Sequence, residues 1–164
     1  MGDADKLILV ILGRSIESED AGNDFYEKLA AKTSDPEGRE LFSRLAEEEN
    51  NHESELRHKY NEIAARCGWE PYAGAASYKF LDHIAAELPF LSEEGLSFDD
   101  KRNLTGADAL AFAIDVEMES ADYFMKAAIA VDQSDVKLFF TDLARTELNH
   151  AQILEKEMRR LPRR

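Results

Sequence analysis

The chain has 164 residues, 44% hydrophobic and 33% charged, enough for one domain with a sizeable core and a heavily solvated surface. Its formal net charge of −14 leaves no basic face for nucleic acid and disfavours an anionic membrane. The single cysteine, Cys67, rules out an internal disulfide, a four-thiolate zinc site or a thiolate-held iron–sulfur cluster within the chain, and reads as a half-buried thiol.

The first wholly apolar run, residues 7–12, and its equal at 109–114 hold six residues each, against roughly 20 for a membrane span. The residues before the first run are net acidic, unlike a signal peptide. A soluble, cytoplasmic protein is expected. From Asp3 to about Lys32 apolar residues recur at helical spacing with no proline inside. Thr33-Ser34-Asp35-Pro36 stops that helix and starts the next, with Asp35 as N-cap and Pro36 at the first helical position. The second helix runs to about Arg66, before Gly68. Residues 67–104 hold Pro71, Gly74, Pro89, Gly95 and a predicted short helix from about Ala75 to Leu88; Trp69 and His83 read as packing residues. So long a connection makes sense as a crossover between parallel second and third helices. Thr105 with Asp108 suggests a capping arrangement for the third helix, which runs to about Val131. Asp132 or Ser134 caps the fourth, which ends near Arg160, before Pro162. Arg159, Arg160, Arg163 and Arg164 read as a solubilising tail. The expected architecture is all-α: one four-helix bundle over 1–164, with hairpins at about 3–66 and 105–160 and a crossover at 67–104.

The two hairpins repeat one another. Shifted by 98 positions, residues 16–56 fall on 114–154 without a gap, and 12 of 41 positions are identical. Chance gives about two or three. The matches include Glu19/Glu117, Glu49/Glu147, Asn51/Asn149 and His52/His150, and Phe25-Tyr26 falls on Tyr123-Phe124.

Those polar matches form a pattern. Glu49 with His52, and Glu147 with His150, are Glu-x-x-His pairs, whose i, i+3 spacing puts carboxylate and imidazole on one helix face. Glu19 and Glu117 add one carboxylate each. In an antiparallel hairpin, level residues have indices that average to the turn. Glu19 paired with Glu49 or His52 averages within 33–36, and Glu117 paired with Glu147 or His150 within 131–134. All six therefore lie roughly 20 Å from their own turn at 1.5 Å per residue. They also interrupt the apolar stripes: Leu9, Leu12, Ile16 and Tyr26 flank Glu19, Leu110, Ile114 and Phe124 flank Glu117, and Phe42, Leu45 and Leu56 flank Glu49. Four carboxylates buried together repel unless cations offset them, and two divalent metals do so. Oxygen and imidazole donors without thiolate suit Fe or Mn.

At these residues the sequence resembles the ferritin-like di-iron carboxylate proteins, and most closely the rubrerythrin family. The resemblance is carried by residues 19–26, 45–52 and their copies 117–124 and 143–150. It implies a ferritin-like bundle with two Fe ions bridged by Glu49 and Glu147. Glu19 and Glu117 are then terminal ligands, and His52 and His150 hold one metal each. Tyr26 is implied as a donor to a ligand carboxylate; its copy, Phe124, cannot donate, so the two metals are not equivalent. Rubrerythrins carry an additional carboxylate one turn after the third-helix ligand, where this chain has Ser120; Glu119 points about 100° away. They also carry a four-cysteine rubredoxin-like domain, which is not found here, so an external donor protein or the iron itself is expected to supply electrons. The implied activity is an oxidoreductase reducing hydrogen peroxide or dioxygen, a rubrerythrin-like peroxidase. The alternative is a ferroxidase for iron storage or delivery, and a scaffold holding no metal is a third reading. Leu7, Val10 and Ile11 are apolar off the inward stripe and suggest a homodimer, with the crossover as the competing cover.

Overall fold

The helices begin and end where the apolar periodicity and its punctuation dictate. The computed structural model describes residues 2–81 and 106–161. Four long helices span them: α1 Asp3–Lys32, α2 Pro36–Cys67, α3 Ala107–Ala130 and α4 Ser134–Arg160. No strand occurs among the described residues, and the chain is all-α, two helical hairpins consistent with a four-helix bundle. The α1–α2 turn follows the expected chemistry. The Asp35 Oδ2 accepts a hydrogen bond of 2.8 Å from the Gly38 amide, which caps α2. The second hairpin departs from it. The residue preceding α3 is Gly106, at φ 58°, with no side-chain cap; Thr105, expected to cap it, lies outside the described residues. Gln133 precedes α4, again without a side-chain cap, so neither Asp132 nor Ser134 has that role. Buried Val131 and Val136 frame that turn, and Asp135 supplies negative charge to the first turn of α4.

The residues gather into two compact units, Met1–Asn23 with Glu47–Ser97, and Asp24–Ala46 with Phe98–Arg164. In the second unit all four helices share one core. Tyr26 and Leu29 of α1, Phe42 and Leu45 of α2, Leu110 of α3 and Leu154 of α4 meet there, each at most 5% exposed. Fully burying such a side chain contributes about 1.5–3 kcal/mol. The early turns of α2 and α3 therefore lie beside the last turns of α1 and α4. Arg160 near the end of α4 reaches within 4.0 Å of Glu37 at the start of α2. Helices α2 and α3 thus start at one end, as a crossover connection requires.

In the first unit the connection leaving α2 folds back on α1. Tyr78 lies so close to Gly13 that a Cβ there would overlap its ring, and the Tyr78 hydroxyl donates to Glu17 Oε2 at 2.7 Å. Val10 and Ile11 are fully buried within the single chain and Leu7 is half-buried, so the face that suggested a homodimer no longer supports one. The short helix expected from about Ala75 begins instead as two 3-10 turns, Ala75–Ser77 and Lys79–Leu81; residues 82–88, with His83, lie outside the described residues. Side-chain donors break the helix here. Tyr60 and Trp69 both hydrogen-bond the Ser77 carbonyl, at 3.2 and 3.4 Å, leaving Trp69 a packing residue of this layer. Cys67 is half-buried, and burial followed by the neighbouring Asp5 raises its thiol pKa.

Candidate metal centre

Each unit holds one copy of the repeated polar triad. In the first, Glu19 on α1 meets Glu49 and His52 on α2, at 3%, 5% and 7% exposure. The Nδ1 of His52 lies 3.4 Å from Glu19 Oε2 and 3.6 Å from Glu49 Oε2. In the second, Glu117 on α3 meets Glu147 and His150 on α4, all at most 2% exposed. There His150 Nδ1 lies 3.4 Å from Glu117 Oε2 and 3.3 Å from Glu147 Oε2. The level placement read from the repeat is thus reproduced within each hairpin.

The aromatic neighbours repeat as well. Tyr26 stacks on Phe42 at 6.3 Å with 19° between the rings, and their copies Phe124 and Phe140 stack at 6.2 Å and 20°. A shared fold of the two hairpins explains such agreement better than similar composition does. The one polar difference within these stacks is the Tyr26 hydroxyl, which donates to Glu117 Oε1. Ser120, one turn beyond Glu117, is buried, while Glu119 faces solvent. The apolar flank is as expected except that Ile114 is only half-buried.

The donor atoms suit a cation. One ligand atom from each residue of a triad lies within 4.8 Å of the others, a grouping that can hold a metal ion. A cation about 2.1 Å from two ligand atoms separates them by roughly 3.0–3.4 Å at angles from 90° to tetrahedral. The nitrogen–oxygen spacings of 3.3–3.6 Å fall at or just above that range. Burying two carboxylates beside an imidazole is costly, since a neutral ring does not offset two negative charges, and a divalent ion does. The buried Glu/His cluster is compatible with a di-metal site.

A second layer in the first unit was not singled out in the sequence. The residue after His52, Glu53, pairs with Arg57, whose guanidinium lies 4.7 Å from the centroid of the Tyr72 ring. Tyr72 in turn meets Tyr60 edge-on at 5.3 Å. Burial, followed by the charge of Glu17, pushes the Tyr72 hydroxyl up to about 12. Burial likewise raises Tyr60, and burial with the Glu17 hydrogen bond raises Tyr78 beyond the usual phenol range. The crossover has no copy elsewhere in the chain, so the repeat that exposed the triads could not expose this cluster.

Residues 10–81 match the model of the Rubrerythrin family. The matched stretch contains Glu19, Glu49 and His52, bears out the resemblance read from them, and stops short of α3. No curated protein and no solved structure gives a significant match to the chain. Among the described residues, no helix is long and apolar enough to cross a membrane.

Proposed function

We propose that this chain, whose residues 10–81 match the rubrerythrin model, is a di-iron oxidoreductase that reduces hydrogen peroxide or dioxygen, with residues 1–164 forming one ferritin-like domain. The observation that supports it is the duplicated triad: the same three residue types, at matching spacings, buried in both hairpins. In this reading two ions would be held by Glu49 and Glu147 as shared ligands, by Glu19 and Glu117 as terminal ones, and by His52 and His150, one for each ion. Manganese fits the same donors, and with the donor set alike the availability of each metal decides between them in the cell.

When bound, iron(II) supplies the reducing power, one electron per ion, and two electrons with two protons from solvent convert one peroxide into two waters. The protein residues do the rest. The carboxylates keep four negative charges fixed in a low-dielectric interior, which favours the more oxidised metal. Tyr26 holds its proton on the phenolic oxygen and donates it to Glu117 Oε1, fixing that carboxylate's orientation. Buried Ile16, Leu56, Phe124 and Phe140 keep bulk water away.

Stopped-flow mixing of the anaerobic iron(II)-loaded chain with peroxide or dioxygen tests this. Rapid oxidation, with two irons per chain by elemental analysis, is expected. A loaded chain that does not oxidise refutes the activity, and anomalous scattering at the iron and manganese edges identifies the metal.

A further inference from the structure

The crossover packs oxidisable rings against the hairpin that carries Glu19, Glu49 and His52. Four of the chain's six Tyr and Trp residues lie between 60 and 78. Three of them form a chain of contacts. Trp69 Nε1 and the Tyr60 hydroxyl converge on the Ser77 carbonyl, and Tyr60 meets the Tyr72 ring at 5.3 Å. Exposure is graded along it: Tyr60 is wholly buried, whereas Tyr72 and Trp69 are half-buried and reach solvent. The inner end approaches the triad by two routes. Tyr60 lies eight residues beyond His52 on α2, about 12 Å of helix rise. Tyr72 connects through Arg57 to Glu53, the residue adjoining His52.

We propose that Tyr60, Tyr72 and Trp69 form a relay that carries single electrons from the protein surface to the metal held by Glu19, Glu49 and His52. The inference rests on the di-iron reading and extends it to the electron route. Tunnelling decays exponentially with distance, so rings in contact shorten one long step into several short ones. The electrostatics favour it. Among the described residues the charges of Glu17, Glu53 and Asp20 act on Tyr72 against the Arg57 guanidinium stacked on its ring, and a net negative field eases removal of an electron from it. In the step itself, while peroxide is being reduced at the metal, Tyr72 gives one electron inward through Tyr60 and its phenolic proton to water. The neutral tyrosyl that remains takes one electron from an external donor of the thiol or ascorbate class and one proton from water, which restores the phenol. Trp69 does the same as an indole radical cation, keeping its proton on Nε1 in the hydrogen bond to the Ser77 carbonyl, and needs only the electron back.

Two measurements on the full chain test the relay. The first uses metal-free protein and a flash-generated ruthenium(III) polypyridyl oxidant, followed by transient absorption. The tryptophanyl signal of Trp69 is expected to decay as a tyrosyl signal grows, with one rate constant at every protein concentration. Tyr72→Phe keeps the ring and its packing, and is expected to cut tyrosyl yield at least threefold. Tryptophanyl decay without tyrosyl growth, or a rate that scales with protein concentration, overturns the relay. The second treats iron(II)-loaded protein with excess peroxide and no donor, followed by freeze-quench electron paramagnetic resonance and peptide mapping. A protein radical and oxidation products at Trp69 and Tyr72 are expected, both reduced severalfold in Trp69→Phe and Tyr72→Phe variants of unchanged circular dichroism. Peroxide consumption with no radical, or with damage confined to Tyr26 and Tyr123, overturns the relay while the di-iron reading stands. A loaded chain that consumes no oxidant overturns the di-iron reading, and the relay's role falls with it even if the flash experiment succeeds.

Discussion

Replacing Tyr26 by Phe should disturb one metal position and spare the other. The ring is 1% exposed and is held by Phe25 at 5.1 Å and Phe42 at 6.3 Å, contacts that Phe reproduces. The copy position already carries Phe124 in the same stack, so the fold tolerates the bare ring. What is lost is one buried hydrogen bond to the Glu117 carboxylate. A bond to a charged acceptor is worth about 1.5–3 kcal/mol. If the bond matters fully in the metal-bound state, that is a loss of about 10- to 150-fold in affinity, in line with the roughly 10- to 100-fold typical of groups that orient a ligand. The assay is an anaerobic titration of metal-free protein with iron(II) or cobalt(II), followed calorimetrically, in which two binding events are resolved. The event involving Glu117 and His150 should weaken and the other should hold within about twofold. The metal-free variant should also melt about 3–12 °C lower, from about 2–4 °C per kcal/mol in a chain of this size. Equal weakening of both events, or neither, would refute the inequivalence drawn from Tyr26 and Phe124.

His52→Ala and His150→Ala should each reduce bound metal from two ions to one per chain by elemental analysis; loss of both ions in either variant would mean the sites fill only together. Gly13→Ala should cost about 1–3 kcal/mol by forcing the Tyr78 ring aside, measured by urea denaturation, and the cost should shrink in a Tyr78→Ala background. Asp35→Ala should cost about 0.5–2 kcal/mol through loss of the α2 cap. Alkaline titration should show the phenols of Tyr60, Tyr72 and Tyr78 ionising above the ordinary 10.0, with Tyr72 near 12. Because the folded state binds these protons more tightly than the unfolded chain, their contribution is complete below pH 10 and is lost as pH rises towards and beyond 12. A single phenolate step near pH 10 at full folding would contradict this.

Two kinds of feature were legible in the sequence: the punctuation of the first hairpin and the residues written twice. Helical period and the Thr33–Pro36 punctuation located α1 and α2 to within a residue or so, because proline and an Asp cap leave little freedom. The triads were legible because six polar residues recurred where apolar ones were due. The caps of the second hairpin were not, since Gly106 and Gln133 start helices without a side-chain signal and burial of Val131 and Val136 sets the turn instead. The crossover was illegible for a different reason. Ala75 onward has helical periodicity, but Tyr60, Trp69 and Tyr78 impose contacts with α1 and α2 that no local pattern encodes.

The core of the second unit has a corollary for how the chain can be divided. Leu29, Leu41 and Leu45, beside the turn of the first hairpin, are buried in a cluster with Ala109, Ala113 and Leu154 of the second. Severing the polypeptide between residues 81 and 106 and separating the fragments would expose those leucines, so each fragment alone should be sticky and poorly ordered. Mixed in equal amounts, the fragments should regain helicity together, as split proteins do when neither piece owns its own interior.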